Sequence, residues 1–194
     1  MAKKKKYEFL PDRSGTGWLS RLYLTPTQRR SVLKWSLYGA VVMVSLLLQD
    51  VVFAQLVRFG GTASLVPGAI LLAAVLEDEE KGGLFALAAA LFYQFSGSAP
   101  GRYVIALLPA LAVFAAIFRE SFLRRGISSA MLCAGVAQLV YQLCVFVLAV
   151  FFEQTTFSWW PAFLSTALQS LAVMLVQYPV LRAISKMGGE TWKE

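Results

Sequence analysis

Histidine is absent from all 194 residues. That removes the commonest neutral-pH general base and the commonest metal ligand together. Cysteine occurs twice, as Cys133 and Cys144 in one apolar run. Helical geometry sets the two about 16 Å apart, too far to bridge, so both read as small apolar fillers. Charge is scarce as well. Only 15% of residues are charged, against about 25% in a soluble domain. No glycine-rich phosphate cradle, nucleophile elbow or zinc spacing is present. Serines and tyrosines occur, but no base is placed to activate them. An enzyme is not expected, and neither is a cofactor.

What the chain does have is apolar length: 58% of it is hydrophobic, in long uncharged runs between tight charged clusters. That composition belongs in a bilayer. The expected class is all-α, a polytopic membrane helical bundle of about six transmembrane helices with the second and third short. Residues 1–25 form a basic tail, 26–187 the transmembrane domain and 188–194 a polar C-terminal tail. The net charge of +7 does not argue for nucleic acid. Half of the eighteen basic residues lie within the first 34 positions, where they set orientation and meet anionic lipid. The first long apolar run starts too late and runs too long for the core of a signal peptide.

The stretch from Pro67 to Gly101 organises the rest. PGAILLAAVL is followed by the acidic knot Glu77-Asp78-Glu79-Glu80 and Lys81. Then come GGLFALAAALFYQF and a turn, Ser96 to Gly101. Each apolar half is shorter than the ~20 residues that an upright helix needs to cross a bilayer core of about 30 Å. Helices this short need longer neighbours to shield them.

Those neighbours are legible. Thr25-Pro26-Thr27-Gln28 has the pattern of a capping box with proline at the first helical position. The first span therefore starts near Pro26, with Arg29, Arg30 and Lys34 at the membrane surface, and runs to about Val57. Short segments follow at about 65–76 and 82–95, either as two crossings or as a re-entrant hairpin. Longer ones run at about 103–118, which contains Pro109, 127–152, and from Trp159-Trp160-Pro161 to about Ile184. Before the first span, Trp18, Leu19, Leu22 and Tyr23 share one face of a short helix suited to the headgroup layer. With both termini cytoplasmic, sixteen of the eighteen basic residues fall inside and only Arg58 and Arg102 outside.

Several residues stand out within the spans. Asp50 is the one acid inside an apolar run, placed near the outer interface, where a solvated helix end is the simplest reading. Glutamines punctuate the helices at Gln49, Gln55, Gln94, Gln138, Gln142, Gln169 and Gln177. Gln138 and Gln142 share a face, and Ser165, Gln169 and Gln177 form a second stripe. Amides at such depth are expected to hydrogen-bond other helices. Gly82, Ala86 and Ala90, and likewise Ala130 and Ala134, let helices approach closely. The acidic knot reads as a solvated turn, because consecutive residues cannot converge on one ion.

The order of these features resembles the rod shape-determining protein MreD family over roughly residues 35–184. The first span closes on Leu48-Gln49 and a polar residue, and a loop with Gly60-Gly61 leads to Pro67. The charged hinge, Gly82-Gly83 and LAAALFYQFSGSAPG follow, the last ending at Gly101. The Arg124-Arg125 loop and QLVYQLCVF are similar to the family's later parts. The chain departs from the family where an acid after the third helix is replaced by Gln94, and where Gly68 follows Pro67.

The resemblance implies a non-catalytic membrane protein of the bacterial cytoplasmic membrane and its cell-wall elongation machinery. It implies an MreC-like periplasmic scaffold as partner, in association with MreB, RodA and a penicillin-binding transpeptidase. The candidate contacts, to a partner or between helices, are Gln49, Asp50, Pro67, Gly82, Gly83, Gln94, Gly101, Gln138, Gln142, Gln169 and Gln177. The competing expectation is the substrate-binding subunit of an energy-coupling-factor vitamin transporter, with Asp50, Arg102, Trp159 and Trp160 around an outer pocket. A lipid-handling membrane enzyme has no residues in its favour.

Overall fold

The computed structural model describes residues 26–53, 63–122, 127–152 and 159–187. The described residues form an all-α bundle of six helices. They are α1 (Pro26–Leu47), α2 (Leu65–Leu76), α3 (Glu79–Phe95), α4 (Val104–Phe122), α5 (Ile127–Phe151) and α6 (Trp159–Met187). A π-helical turn, Leu48–Phe53, extends α1.

The second helix sets the plan. Its sequence, LVPGAILLAAVL, has no polar face, and a helix apolar all round is stable only when covered all round. All twelve residues are buried. Pro67 sits in the first turn, where the missing N–H has no intrahelical partner to lose. The other five helices close a ring about α2 in the order α1, α3, α4, α5, α6 and back to α1. Each touches α2 and its two neighbours in the ring.

Four stretches are long and apolar enough to cross a membrane: Arg29–Val52, Val104–Ser121, Ser129–Phe151 and Trp160–Met187. Their outward faces carry large apolar side chains, such as Leu132 and Val147 on α5 and Leu168 and Val176 on α6. The chain is thus built to stand in lipid. The twelve residues of α2 rise only about 18 Å, short of the ~30 Å hydrocarbon core. A backbone end at membrane depth is tolerated where protein surrounds it. The ring provides that surrounding.

Close approach of α3 to α2 depends on glycine. A Cβ on Gly82 would lie 2.5 Å from the Ala74 carbonyl oxygen, and one on Gly83 would lie 2.6 Å from Val113 Cγ2 of α4. Ala86 and Ala90 continue the buried row on α3, as Ala130 and Ala134 do on α5. Trp35, Tyr38 and Phe85 pack mutually, with ring centroids 5.6–5.7 Å apart, and join α1 to α3.

Four expectations need correction. Helix α3 begins at Glu79 rather than near Gly82, so the hinge shrinks to Glu77-Asp78. Glu79 and Glu80 occupy its first turn, where acids face the positive end of the helix dipole. The first span does not continue as a regular helix beyond Leu47 but widens into the π turn. Glu77 is no part of a solvated turn, and Lys34 is not at the surface: both are buried. The basic tail, the headgroup-layer helix, Thr25, Gln55, Arg58, Gly60-Gly61, Arg124-Arg125 and residues 188–194 lie outside the described residues.

Candidate functional site

A helix leaves four N–H groups free at its start and four carbonyls at its end. Those of α2 fall inside the ring, and side chains from the surrounding helices reach in to meet them.

At the N-terminal end, Gln49 Oε1 accepts from the backbone N–H of Leu65 (3.0 Å) and of Val66 (3.3 Å). Its Nε2 donates to the Tyr93 hydroxyl of α3 at 3.1 Å. One side chain from the π turn therefore caps α2 and ties α1 to α3. Ser64 occupies the N-cap position, yet its hydroxyl makes no capping bond. It turns to α5 and α6 instead. Ser64 Oγ accepts from Gln138 Nε2 (3.1 Å) and from Gln142 Nε2 (2.5 Å). Ser170 Oγ accepts from the Ser64 backbone N–H (3.1 Å) and from Gln142 Nε2 (2.9 Å), and donates to the Thr166 carbonyl (2.7 Å). Gln177 Nε2 donates to Ser45 Oγ of α1 (3.1 Å) and to the Leu65 carbonyl (3.3 Å).

The other end is charged. Glu77, at the C-cap of α2, receives Lys34 Nζ on Oε2 at 2.5 Å and the Tyr38 hydroxyl on Oε1 at 2.7 Å. Lys34 and Tyr38 are one turn apart on α1, so the two donors share a face. Arg119 of α4 donates to the Val75 carbonyl, one of the acceptors left free by the helix end. Cations at a helix C-terminus also offset its negative dipole end. Both ends of α2 are thereby fastened to neighbouring helices.

The remaining candidates are more scattered. Asp50 is exposed and accepts from Ser98 Oγ at 2.5 Å, which links the π turn to the α3–α4 connection. In that connection Gly97 has a φ of 79°, the left-handed turn that glycine adopts freely. Gly101 lies against the Tyr103 ring, where a Cβ would come within 2.3 Å of Cε1. Gln94 is half-buried, and its Oε1 has no hydrogen-bond donor among the described residues. Gln169 and Ser165 are also half-buried. Neither joins the network at α2, and Ser165 Oγ donates to the Ala162 carbonyl of its own helix. The α6 stripe that faces inward is Thr166, Ser170 and Met174 with Gln177, rather than Ser165 and Gln169 with Gln177. Trp160 is exposed and stacks on Phe163, and Arg102 is exposed. The side chain of Trp159 lies outside the described set.

Sequence reading missed Lys34, Tyr38 and Glu77 as a group, and it missed Ser64 and Ser170. Lys34 and Tyr38 at i and i+4 offered a signal, as did an acid placed directly after an all-apolar helix. For the serines there was none, because a helical serine commonly bonds its own preceding turn.

Chemically, the arrangement is a set of locks. Amide, hydroxyl and ion-pair hydrogen bonds join helices distant in sequence, and the bond from Ser98 to Asp50 is an exposed one. Among the described residues, no three His, Cys, Asp or Glu side chains gather as a metal site. No family model, curated protein or solved structure matches this chain.

Proposed function

We propose that this chain is a non-catalytic integral membrane scaffold of the bacterial cell-wall elongation machinery. In this reading it lies in the cytoplasmic membrane with both termini inside, and it binds an MreC-like periplasmic protein. MreB, RodA and a penicillin-binding transpeptidase belong to the same assembly. The reading rests on the sequence resemblance to the MreD family and on one structural observation. The polar side chains of the spans are used to hold a buried helix inside a ring of five. A rigid body of this kind, apolar outside and fastened within, suits a protein whose work is contact.

The outer end offers the contact surface in this reading: exposed Asp50, the Ser96–Arg102 connection and the aromatic start of α6. The competing carrier of a vitamin-sized molecule draws on the same amides. One observation disfavours it: the amide N–H groups are spent within the bundle, those of Gln138 and Gln142 on Ser64 and Ser170 and those of Gln177 on Ser45 and the Leu65 carbonyl.

The test is affinity purification of the intact protein from membranes, combined with depletion in cells. Recovery of a single-span, coiled-coil periplasmic protein together with rounding of depleted cells is expected. Saturable binding of a vitamin-sized ligand to the purified protein overturns the scaffold reading in favour of the carrier.

A further inference from the structure

Of the two short helices, α2 is enclosed by the ring, but α3 is part of it. Leu84, Leu87, Leu91 and Phe95 of α3 stand exposed on the outer side. The apolar part of α3 is bounded at both ends. Glu79, Glu80 and Lys81 are exposed at one end, and Ser96 and Gly97 of the turn to α4 at the other. Asp50, also exposed, accepts from Ser98 of that turn and marks the same level on the π turn. Residues 82–95 between these limits rise only about 21 Å. The adjacent α4 repeats the pattern, since its residues 104–118, which end at Arg119, rise about 22 Å.

The α5–α6 side is built differently. Helix α5 (Ile127–Phe151) has no charged residue, and α6 has none before Arg182. Those uncharged stretches rise about 37 and 34 Å. Neighbouring helices therefore pair by length: two fall short of a hydrocarbon core of about 30 Å, and two are long enough to cross it with tilt. Tilt can only shorten the reach of α3 and α4 further.

A short span is met by thinner lipid, by side chains that reach out to the headgroups, or by association with another helix. Reaching out is limited here. Asp50, Glu79 and Glu80 have short stems, and Arg119 is held inward by the Val75 carbonyl. Association in lipid uses small residues for close approach, and the row Gly82, Ala86 and Ala90 is already turned to the bundle. We propose that the α3–α4 face is a lipid-binding surface for a thinned bilayer, with the hydrocarbon core beside it reduced by about 7–9 Å. Along α5 and α6 the core keeps its full thickness. The inference rests on the chain standing in lipid and not on the scaffold reading.

The test measures depth in vesicles of dioleoyl phosphatidylcholine that hold the full chain alone. In a background of Cys133→Ala and Cys144→Ala, single nitroxide labels are placed at Leu84→Cys and Phe95→Cys on α3. Leu132→Cys and Val147→Cys serve as the pair on α5, and all four positions are exposed. Relaxation by oxygen and by a water-soluble nickel chelate reads the depth of each label below the nearer headgroup layer. The α3 sites are at most about 17 Å apart along the bilayer normal, so their depths sum to about 5 Å in a thinned core and to at least ~13 Å in an undeformed one. The α5 sites, about 22 Å apart, have depths that sum to at least ~8 Å. The α3 pair is therefore expected to sit shallower than the α5 pair, although its sites are closer together. The proposal is overturned if the α3 pair sits as deep as the α5 pair or deeper. It is also overturned if both α3 labels are shielded from oxygen as well as from nickel, which marks a second copy of the chain as the occupant.

Discussion

Lys34 Nζ lies 2.5 Å from Glu77 Oε2, with only 10% and 5% of the two side chains exposed. The lysine belongs to the ring and the carboxylate to the end of the enclosed helix, so the pair bolts one to the other. Removing either partner leaves a buried charge without its counterpart. Lys34→Met or Glu77→Leu is expected to destabilise by about 3–5 kcal/mol, whereas the double replacement recovers most of that loss. Thermal melts of the two single variants and the double variant check this, and equal losses in all three refute it.

Gln49 does different work from the other amides. Gln49→Leu strands two backbone N–H groups inside the ring, for an expected cost of about 2 kcal/mol. Ser45→Ala removes only a side-chain partner of Gln177, for about 0.6 kcal/mol. Denaturation in mixed detergent micelles is expected to rank them in that order.

Two glycines on lipid-facing and packed helices separate space from backbone preference. A Cβ on Gly82 would press on the Ala74 carbonyl, a backbone atom that cannot swing away. Gly82→Ala is therefore expected to cost about 1–3 kcal/mol. A Cβ on Gly39 meets nothing within 4 Å, and Gly39→Ala is expected to gain up to ~1 kcal/mol from helix preference. Opposite shifts in Tm are the expected result.

Asp50 and Ser98 meet at an exposed position. Asp50→Ala is expected to change stability by about 0.5 kcal/mol or less, as exposed substitutions do. Under the scaffold reading, it is also expected to reduce recovery of the periplasmic partner several-fold. Unchanged recovery would move the contact surface away from the π turn.

Much of the architecture is written in local composition. The run Leu65–Leu76 declares a short helix apolar on every side, Pro26 marks where α1 starts, and the spacing of Gly82, Ala86 and Ala90 marks a packing face. These are periodicity and length, and both are properties of a chain read along one dimension. Residue order alone puts the α6 stripe one residue off, because Ser165 and Thr166 are both polar neighbours. Only the rotation of the helix against α2 decides which of them turns inward.

The amino-acid sequence by itself determined that this protein is a bundle of helices in lipid, because uncharged apolar runs of that length have no stable alternative. It also determined that two helices would be too short to stand alone. The tertiary structure decided that α2 lies at the centre of a closed ring, and that Gln49, Ser64, Gln142, Ser170, Lys34 and Glu77 are the groups that fasten it there. Hydrogen-bonded partners among those residues lie up to 106 positions apart along the chain. Hydrogen bonds and ion pairs act over a few ångströms, so which of them form depends on how the helices are arranged, and that cannot be read from residue order.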